Sequence, residues 1–376
     1  MIHVYKAMFY ISILISKITH FLITSLKLGA GYTWPGCILL KFNKNFLQSK
    51  QLFFPKGIVL ITGTNGKTTT TKLISHLLSH KGLKVLHNTT GANVKHGIVS
   101  TLSLNTNIFG KLNYDVAVLE VDELTLPEIV NSLHVNIIGF LNLSRDQLDR
   151  HWEIDIVFNK WRELKIDNIK IFLPKDDPRL DLLTTSNTVF FDETSRYRDY
   201  TSLLGGFNSK NINCAVEISK QYSLSEDEIV AALKTFKEAF GRGEKVVYKG
   251  KSFHVFLAKN PASLNENLTM LAESDINFDS LLYVLNDNVP DGLDVSWIYD
   301  VDPKLLENVS KNKKVFVSGT RAMDMGIRLQ YAGVKVVNIH SNLEKMVIGD
   351  FENMVVLPNY SAMLEVRKVL TGKKIL

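Results

Sequence analysis

The stretch from Ile58 to Thr71 limits the fold of this chain more than any other segment. It reads IVLITGTNGKTTTT, an apolar run of strand length, then a glycine-containing turn and Gly66-Lys67-Thr68. Apolar residues at helical spacing follow, so the pattern predicts a strand, a loop and the start of a helix. Glycines in such a loop let backbone N–H groups approach an anion, and the helix N-terminus adds partial positive charge. The stretch therefore predicts a phosphate-binding loop for a nucleoside triphosphate.

Within this loop we expect Lys67 to reach the terminal phosphates and the Thr68 hydroxyl to bind Mg²⁺. A complete phosphate-loop pattern would have a glycine where Ile61 stands. Taken alone, the stretch is also compatible with an ordinary glycine turn before a threonine-capped helix. The further candidates for nucleotide binding are Gly63, Thr64, Asn65, Gly66 and Thr69.

Strand-like apolar runs alternate with helical stretches along the chain, which is typical of an α/β fold with a mainly parallel sheet. A chain of 376 residues is long enough for roughly two or three domains. A glycine-rich stretch at 241–250 reads as a loop and marks a boundary. We predict an N-terminal helical and loop segment over 1–46, a central ATP-binding domain over 47–243 and a smaller α/β domain over 244–376.

Acidic residues close the predicted strand Val116–Val121. Glu120 lies at its end, and Asp122 and Glu123 follow. A carboxylate at this edge of a parallel sheet can hold the metal ion that bridges the phosphates. The alternative is that these acids are merely solvated. Glu120, nearest the strand, is the predicted metal ligand together with Thr68.

The first 28 residues contain an uncharged apolar run, Ala7–Ser16, between Lys6 and Lys17. A membrane-spanning helix needs about 20 apolar residues, so the run is shorter than a span. It predicts a helix that packs in the core or one that lies on a membrane surface, with a signal or anchor segment as a third alternative.

The formal net charge of +6 comes without a long basic run, which is poor support for nucleic-acid binding. The two cysteines, Cys37 and Cys214, are far apart in sequence. This spacing argues against a disulfide framework or a cysteine zinc site. We expect a cytoplasmic protein, with contact at the inner face of the membrane left open.

The chain contains the phosphate-binding loop at 62–69, a polar cluster at 142–151, GFNSKN at 206–211 and FGRGE at 240–244. Together these motifs resemble the Mur ligase family, whose members use ATP to turn a carboxylate into an acyl phosphate that an amine attacks. In that family a residue other than glycine at the position of Ile61 is usual. The resemblance implies that Asn208 and Asn211 lie near the adenine, Arg242 near the phosphates, and Glu120 on a metal ion.

The second half narrows this resemblance. Segments 259–265, 286–300 and 318–325 look like motifs of the ligase-like subunits of lipid II isoglutaminyl synthases. This implies ATP-dependent amidation of the D-glutamate α-carboxyl of the peptidoglycan stem peptide, which gives D-isoglutamine. The ammonia would come from a separate, GatD-like glutaminase subunit. The acceptor, lipid II or a soluble precursor, stays open.

By the same resemblance an aspartate of this chain completes the partner's Cys-His pair, as the third member of a catalytic triad does. Asp294 and Asp291 are the two candidates. Many such subunits carry a four-cysteine zinc ribbon, but 175–204 is short and has no cysteine. We therefore predict ATP and Mg²⁺ and no zinc. The alternatives are a stand-alone Mur-type amino-acid ligase and a non-catalytic nucleotide-binding scaffold.

Overall fold

Two mainly parallel sheets with helices on their faces form the framework of the protein in the computed structural model. The first sheet is wholly parallel and has the strand order β2-β3-β1-β4-β5-β6. Its strands are β1 (Ile58–Thr62), β2 (Val85–His87), β3 (Val116–Glu120), β4 (Ile137–Phe140), β5 (Lys170–Pro174) and β6 (Thr188–Phe191). The structure describes residues 2–26, 32–88, 92–144, 154–175, 177–203, 205–237, 241–288, 291–340 and 342–372.

Both faces of the first sheet are covered, which explains why its central strands are continuously apolar. Side chains alternate between the faces: Leu60 packs in one hydrophobic cluster, and Val59 and Ile61 pack in the other. The helices of this unit are α1 (Ile2–Ser25), α2 (Trp34–Phe42), α3 (Lys67–His80), α4 (Lys95–Asn105), α5 (Leu126–Val130), α6 (Ile154–Arg162), α7 (Phe207–Lys220) and α8 (Glu226–Thr235).

The second sheet has the order β11-β10-β9-β12-β8-β7, and all its strands are parallel except β7 at one edge. The predicted α/β fold with a mainly parallel sheet and a second α/β unit is confirmed. The strands are β7 (Arg242–Tyr248), β8 (Lys251–Phe256), β9 (Ser280–Val284), β10 (Lys314–Ser318), β11 (Val336–Ile339) and β12 (Asn353–Pro358). The helices are α9 (Pro261–Glu273), α10 (Pro303–Ser310), α11 (Ala322–Tyr331), α12 (Leu343–Met346) and α13 (Tyr360–Thr371).

The prediction of a glycine-rich loop at 241–250 was wrong, because this stretch contains β7. The strand forms an antiparallel hairpin with β8, and Lys249 and Gly250 occupy its turn with φ angles of 49° and 77°. The register shifts between Arg242 and Glu244, so Gly243 lies at a bulge, where glycine is common. The glycines therefore mark a bulge and a turn instead of a loop. The predicted domain limits stay a prediction.

The N-terminal helix is longer than the sequence pattern indicated. Within the described part of the chain, Ala7–Ser25 is the one segment long and apolar enough to cross a membrane, and only 22% of it is buried. Core helices and signal sequences pass the same test of length and composition. The expectation of a run too short to span was thus wrong, because the apolar pattern continues beyond Lys17.

The carboxyl ends of the two sheets meet in a cleft. Asn65, which follows β1, and Asn260, which follows β8, exchange side-chain amide contacts. Nδ2 of Asn260 lies 3.2 Å from Oδ1 of Asn65, and the reciprocal pair is 3.4 Å apart. Ligands of parallel α/β sheets bind at this edge, so the cleft is the candidate ligand-binding site.

Candidate nucleotide site

The loop between β1 and α3 depends on two glycines. Gly63 and Gly66 have φ angles of 133° and 85°, which other residues rarely adopt. A Cβ on Gly66 would lie 2.1 Å from Oδ1 of Asn211, and one on Gly63 would lie 2.8 Å from the Asn142 carbonyl oxygen. Glycine is therefore required here by the backbone and by the close neighbours.

Lys67, the first residue of α3, is buried against its own loop. Its Nζ donates to the carbonyl oxygens of Gly63 and Thr64. The same ammonium forms an ion pair with Glu123, at 3.2 Å from Oε2. The loop thus holds a buried cation at the place where a phosphate-binding loop needs one.

The two predicted metal ligands are in direct contact. The Thr68 hydroxyl donates to Oε2 of Glu120 at 2.7 Å, and Nδ2 of Asn93 donates to Oε1 at 3.2 Å. The Asn88 side chain bonds both the backbone N–H and the carbonyl oxygen of Glu120, each at 2.8 Å. The carboxylate is therefore fixed beside the first turn of α3.

A hydroxyl and a carboxylate are the hard oxygen donors that Mg²⁺ prefers. Among the described residues there is no group of three or more His, Cys, Asp or Glu side chains that could hold a metal by itself. Thr68 and Glu120 fit an ion that takes its remaining ligands from phosphate oxygens and water, as in nucleoside-triphosphate sites.

The predicted adenine-side residues lie at the start of α7 and contact the loop helix. Nδ2 of Asn211 donates to Oδ1 of Asn208 at 3.1 Å, and the Thr70 hydroxyl donates to Oδ1 of Asn211 at 3.4 Å. A cavity of about 350 Å³ separates these elements from α9. Its lining includes Asn65, Gly66, Thr69, Phe207, Lys210, Asn211, Leu257 and Asn267.

A larger cavity of about 650 Å³ lies at the amino edge of the first sheet, between Phe53, Lys56 and Tyr222. It contains no residue of the phosphate-binding loop. The cleft between the sheets, with its buried cation and carboxylates, is the better candidate for the nucleotide.

Asn142, which follows β4, holds the loop in place. Its side chain accepts from the Asn65 N–H and donates to the Asn65 carbonyl oxygen, both at 2.9 Å. The rest of the polar cluster, 145–151, lies outside the described residues. The Arg242 side chain also lies outside them, although its backbone begins β7.

The two candidate aspartates occupy different environments. Asp291 is buried, accepts from the Ser361 N–H at 2.8 Å and also bonds the Ser361 hydroxyl at the start of α13. Burial raises the pKa of Asp291. Asp294 is exposed and accepts from the Ser296 N–H at 2.8 Å, at the start of a short 3-10 helix, Ser296–Asp300. Only Asp294 presents its side chain at the surface.

Sequence reasoning missed the asparagines Asn88 and Asn93 and gave Asn142 no specific role. Asn88 directly follows β2, Asn142 follows β4, and Asn93 shortly precedes α4. A sequence signal for these residues therefore did exist. Polar residues after consecutive apolar runs converge at one sheet edge.

Family models match two parts of the chain. Residues 61–200 match the Mur ligase middle domain, and residues 257–363 match the MurT ligase C-terminal domain. Together they cover more than half of the chain. The fold, the phosphate-binding loop and these matches show that the chain resembles the Mur ligases.

Curated relatives narrow the placement to the MurT type. The chain is 29% identical to the lipid II isoglutaminyl synthase (glutamine-hydrolyzing) subunit MurT of Staphylococcus aureus, over 89% of this chain and 91% of the relative. It is 27% identical to the MurT subunit of Streptococcus pneumoniae over 97% of both chains. The resemblance proposed from the motifs is confirmed.

Solved structures show the same fold. MurF ligase from Thermotoga maritima in complex with ADP superposes with a TM-score of 0.67 at 16% identity, covering 89% of this chain and 82% of that one. Folylpolyglutamate synthase from Mycobacterium tuberculosis, complexed with ADP and AMPPCP, gives 0.65 at 14% identity, covering 96% and 100%. At such identities the likeness shows the fold alone.

Proposed function

We propose that this chain is the ligase subunit of an enzyme that amidates the D-glutamate α-carboxyl of lipid II. ATP would phosphorylate the carboxylate, and ammonia would displace the phosphate to give D-isoglutamine. One observation carries the proposal. The same chain contains a loop with Lys67 beside the Thr68–Glu120 pair and a C-terminal region that matches the MurT ligase C-terminal domain.

The residues of the cleft suit phosphoryl transfer, which depends on positioning and on charge stabilisation. Lys67 would bind the terminal phosphates, and the loop N–H groups would orient them. Thr68 and Glu120 would hold Mg²⁺, which offsets phosphate charge when bound. Lys67 and Glu120 are both buried, so the site limits water access to a hydrolysable acyl phosphate.

The ammonia is proposed to come from a separate glutaminase. Glutamine hydrolysis of this kind needs a reactive thiolate in an accessible site. Cys214 is fully buried, and burial raises the pKa of its thiol. Cys37 lies on α2, outside the cleft. The MurT relatives are subunits of a glutamine-hydrolyzing synthase, which supports the same division of labour.

An exposed apolar face on α11 is the proposed docking site for the glutaminase. Met323, Ile327 and Tyr331 follow one another at intervals of four residues and are 65%, 46% and 77% exposed. Such spacing places them on one side of a helix. Contiguous exposed apolar surface of this kind marks interaction sites. We call these three residues the α11 patch.

The segment with Asp294 is attached to the same helix. The Arg328 side chain of α11 donates to the carbonyl oxygens of Ile298 and Val301, and its guanidinium lies 5.8 Å from the centre of the Tyr299 ring. A glutaminase on the α11 patch would therefore lie beside the 3-10 helix that Asp294 precedes. This arrangement favours Asp294 over Asp291 as the residue that orients the partner's histidine.

The proposal is tested by the Lys67→Ala variant, purified with the glutaminase. We expect a loss of amidation of about 10²-fold or more, because phosphate charge in the transition state loses its partner. Mass spectrometry of the stem peptide measures the product. Lys81→Ala, at the other end of α3, is the matched control and should retain activity.

Unchanged product formation by Lys67→Ala would refute the proposal. Supplying lipid II and the soluble precursor in parallel identifies the acceptor. Incorporation of an added amino acid in place of ¹⁵N-labelled ammonia would instead identify a stand-alone ligase.

A further inference from the structure

From Met8 to Leu22, one side of α1 presents apolar side chains to solvent. Their spacing of three or four residues places them on one helix face. They are between 38% and 67% exposed. Isolated exposed apolar residues need no explanation, whereas a contiguous row does. We call this row the apolar stripe: Met8, Ile11, Leu14, Ile18, Phe21 and Leu22.

The opposite side of α1 is attached to the body of the protein. The Phe9 ring stacks on Phe46 with centroids 5.2 Å apart. The hydroxyls of Ser16 and Ser103 are 2.6 Å apart, and the Lys17 amine donates to the Leu104 carbonyl oxygen at 2.8 Å. The helix therefore lies along the molecular surface with the apolar stripe facing outward.

The apolar surface continues beyond the helix. Gly110 packs against the Tyr10 ring so closely that a Cβ there would lie 2.7 Å from it. In the same loop Ile108 and Phe109 are 69% and 72% exposed. The stripe and this loop thus form one extended apolar surface.

Positive charge surrounds this surface. The first 114 residues contain 13 lysines and neither an arginine nor an acidic residue. Because the whole chain carries +6, the remaining residues carry −7. Lys41 and Lys44, near the Phe46 that stacks on α1, are exposed, and so is Lys111 beside Gly110. These three exposed lysines therefore give the surroundings of the apolar stripe positive charge.

We propose that the apolar stripe and its flanking lysines dock this protein on an anionic lipid bilayer, with α1 lying in the headgroup region. An outward apolar face with basic residues around it is the chemistry that binds such a surface. A spanning orientation would pull α1 away from α2 and α4. It would also expose the polar contacts of Ser16 and Lys17 to hydrocarbon, which is costly.

The test measures flotation with lipid vesicles, without ATP or substrate, so it stands apart from the amidation reaction. The full-length protein should bind vesicles containing phosphatidylglycerol, bind phosphatidylcholine vesicles poorly, and detach as salt rises. The Ile11→Gln/Leu14→Gln/Ile18→Gln variant should bind these vesicles at least about tenfold more weakly, because three apolar side chains that enter the bilayer are lost.

The matched control is Val247→Gln/Val337→Gln/Ile348→Gln, three exposed apolar residues of the second sheet unit. It should bind like the wild type. Stabilisation by Mg²⁺-ATP in a thermal melt shows whether each variant is folded. If the stripe variant fails to fold, Lys41→Gln/Lys44→Gln/Lys111→Gln replaces it and should lose the preference for phosphatidylglycerol.

Four outcomes would overturn the proposal. The first is a wild type that does not float with anionic vesicles, and the second is a folded stripe variant that binds as well as the wild type. The third is a membrane-bound protein that alkaline carbonate does not extract. The fourth is a dimer that depends on the stripe and forms without vesicle binding. The third would indicate a spanning helix, and the fourth would identify a second copy of the chain as the occupant.

Discussion

The ion pair between Lys67 and Glu123 is the most consequential contact at the scale of single residues. The two side chains are only 9% and 4% exposed. Removing one member of a buried pair leaves an uncompensated charge, which costs about 3–5 kcal/mol. The phosphates of ATP would supply negative charge to the same ammonium. Glu123 is thus most important for stability when no nucleotide is bound.

We therefore predict that Glu123→Gln lowers the free energy of unfolding by about 3 kcal/mol without nucleotide. The loss should shrink when a non-hydrolysable ATP analogue and Mg²⁺ are present. Denaturant unfolding under both conditions measures it. Glu128→Gln removes the more exposed ion pair with Lys95. It should lower the free energy of unfolding by less than about 1 kcal/mol, both with and without nucleotide. Equal losses for Glu123→Gln with and without nucleotide would contradict this role.

At this scale the sequence predicted the contiguous part of the site. Gly63, Gly66 and Lys67 lie within one short loop, so their spacing alone indicates a phosphate-binding geometry. The contacts of Asn93 with Glu120 and of Asn142 with Asn65 join residues 27 and 77 positions apart. No local pattern encodes such distances, because they depend on which strands become neighbours in the sheet.

Among the elements, the central strands β1, β3, β4, β9 and β12 were predictable because their apolar runs are almost entirely buried and bounded by turn residues. Strand β7 was not, because its glycines suggested a loop while they serve a bulge and a hairpin turn. The length of α1 was also missed. Lys17 reads as the end of an apolar run, yet its amine is accommodated by the Leu104 carbonyl oxygen.

The α11 patch allows a test of partner docking at the level of one element. Ile327→Lys/Tyr331→Lys should prevent complex formation with the glutaminase, because two ammonium groups would have to be desolvated at the interface. Size-exclusion chromatography of the mixed proteins measures the complex. Val247→Lys, on β7 at the opposite edge of the second sheet, is the control. An intact complex with the double variant would place the partner elsewhere.

Across the whole molecule, the carboxyl edges of two sheets face each other, and each contributes to one cleft. The phosphate-binding loop comes from the first sheet, while Asn260 and Asn267 come from the second. Asp294 lies in the second unit as well, just before the 3-10 helix that contacts α11. The proposed ammonia source and the proposed ATP site therefore depend on different sheets of the same chain.

This division predicts a separation of activities. Asp294→Asn should reduce glutamine-driven amidation about 10²-fold or more, because the partner's histidine loses its orienting carboxylate. Amidation driven by added ammonium chloride should stay near the wild-type rate. The ratio of the two rates is the measurement, and Asp300→Asn at the far end of the 3-10 helix is the control. A parallel fall in both rates would assign Asp294 to folding or to the ligase site.

The two cysteines differ in their access to reagents, and this has a practical consequence for spectroscopy. Cys214 is buried between α7 and β4, with its sulfur near Gly139. Cys37 is partly exposed on α2, which packs on α1. A maleimide fluorophore can thus be attached to the folded wild-type chain at one position without any substitution. That position lies next to the helix that we propose rests on lipid, where emission reports on the polarity of the surroundings.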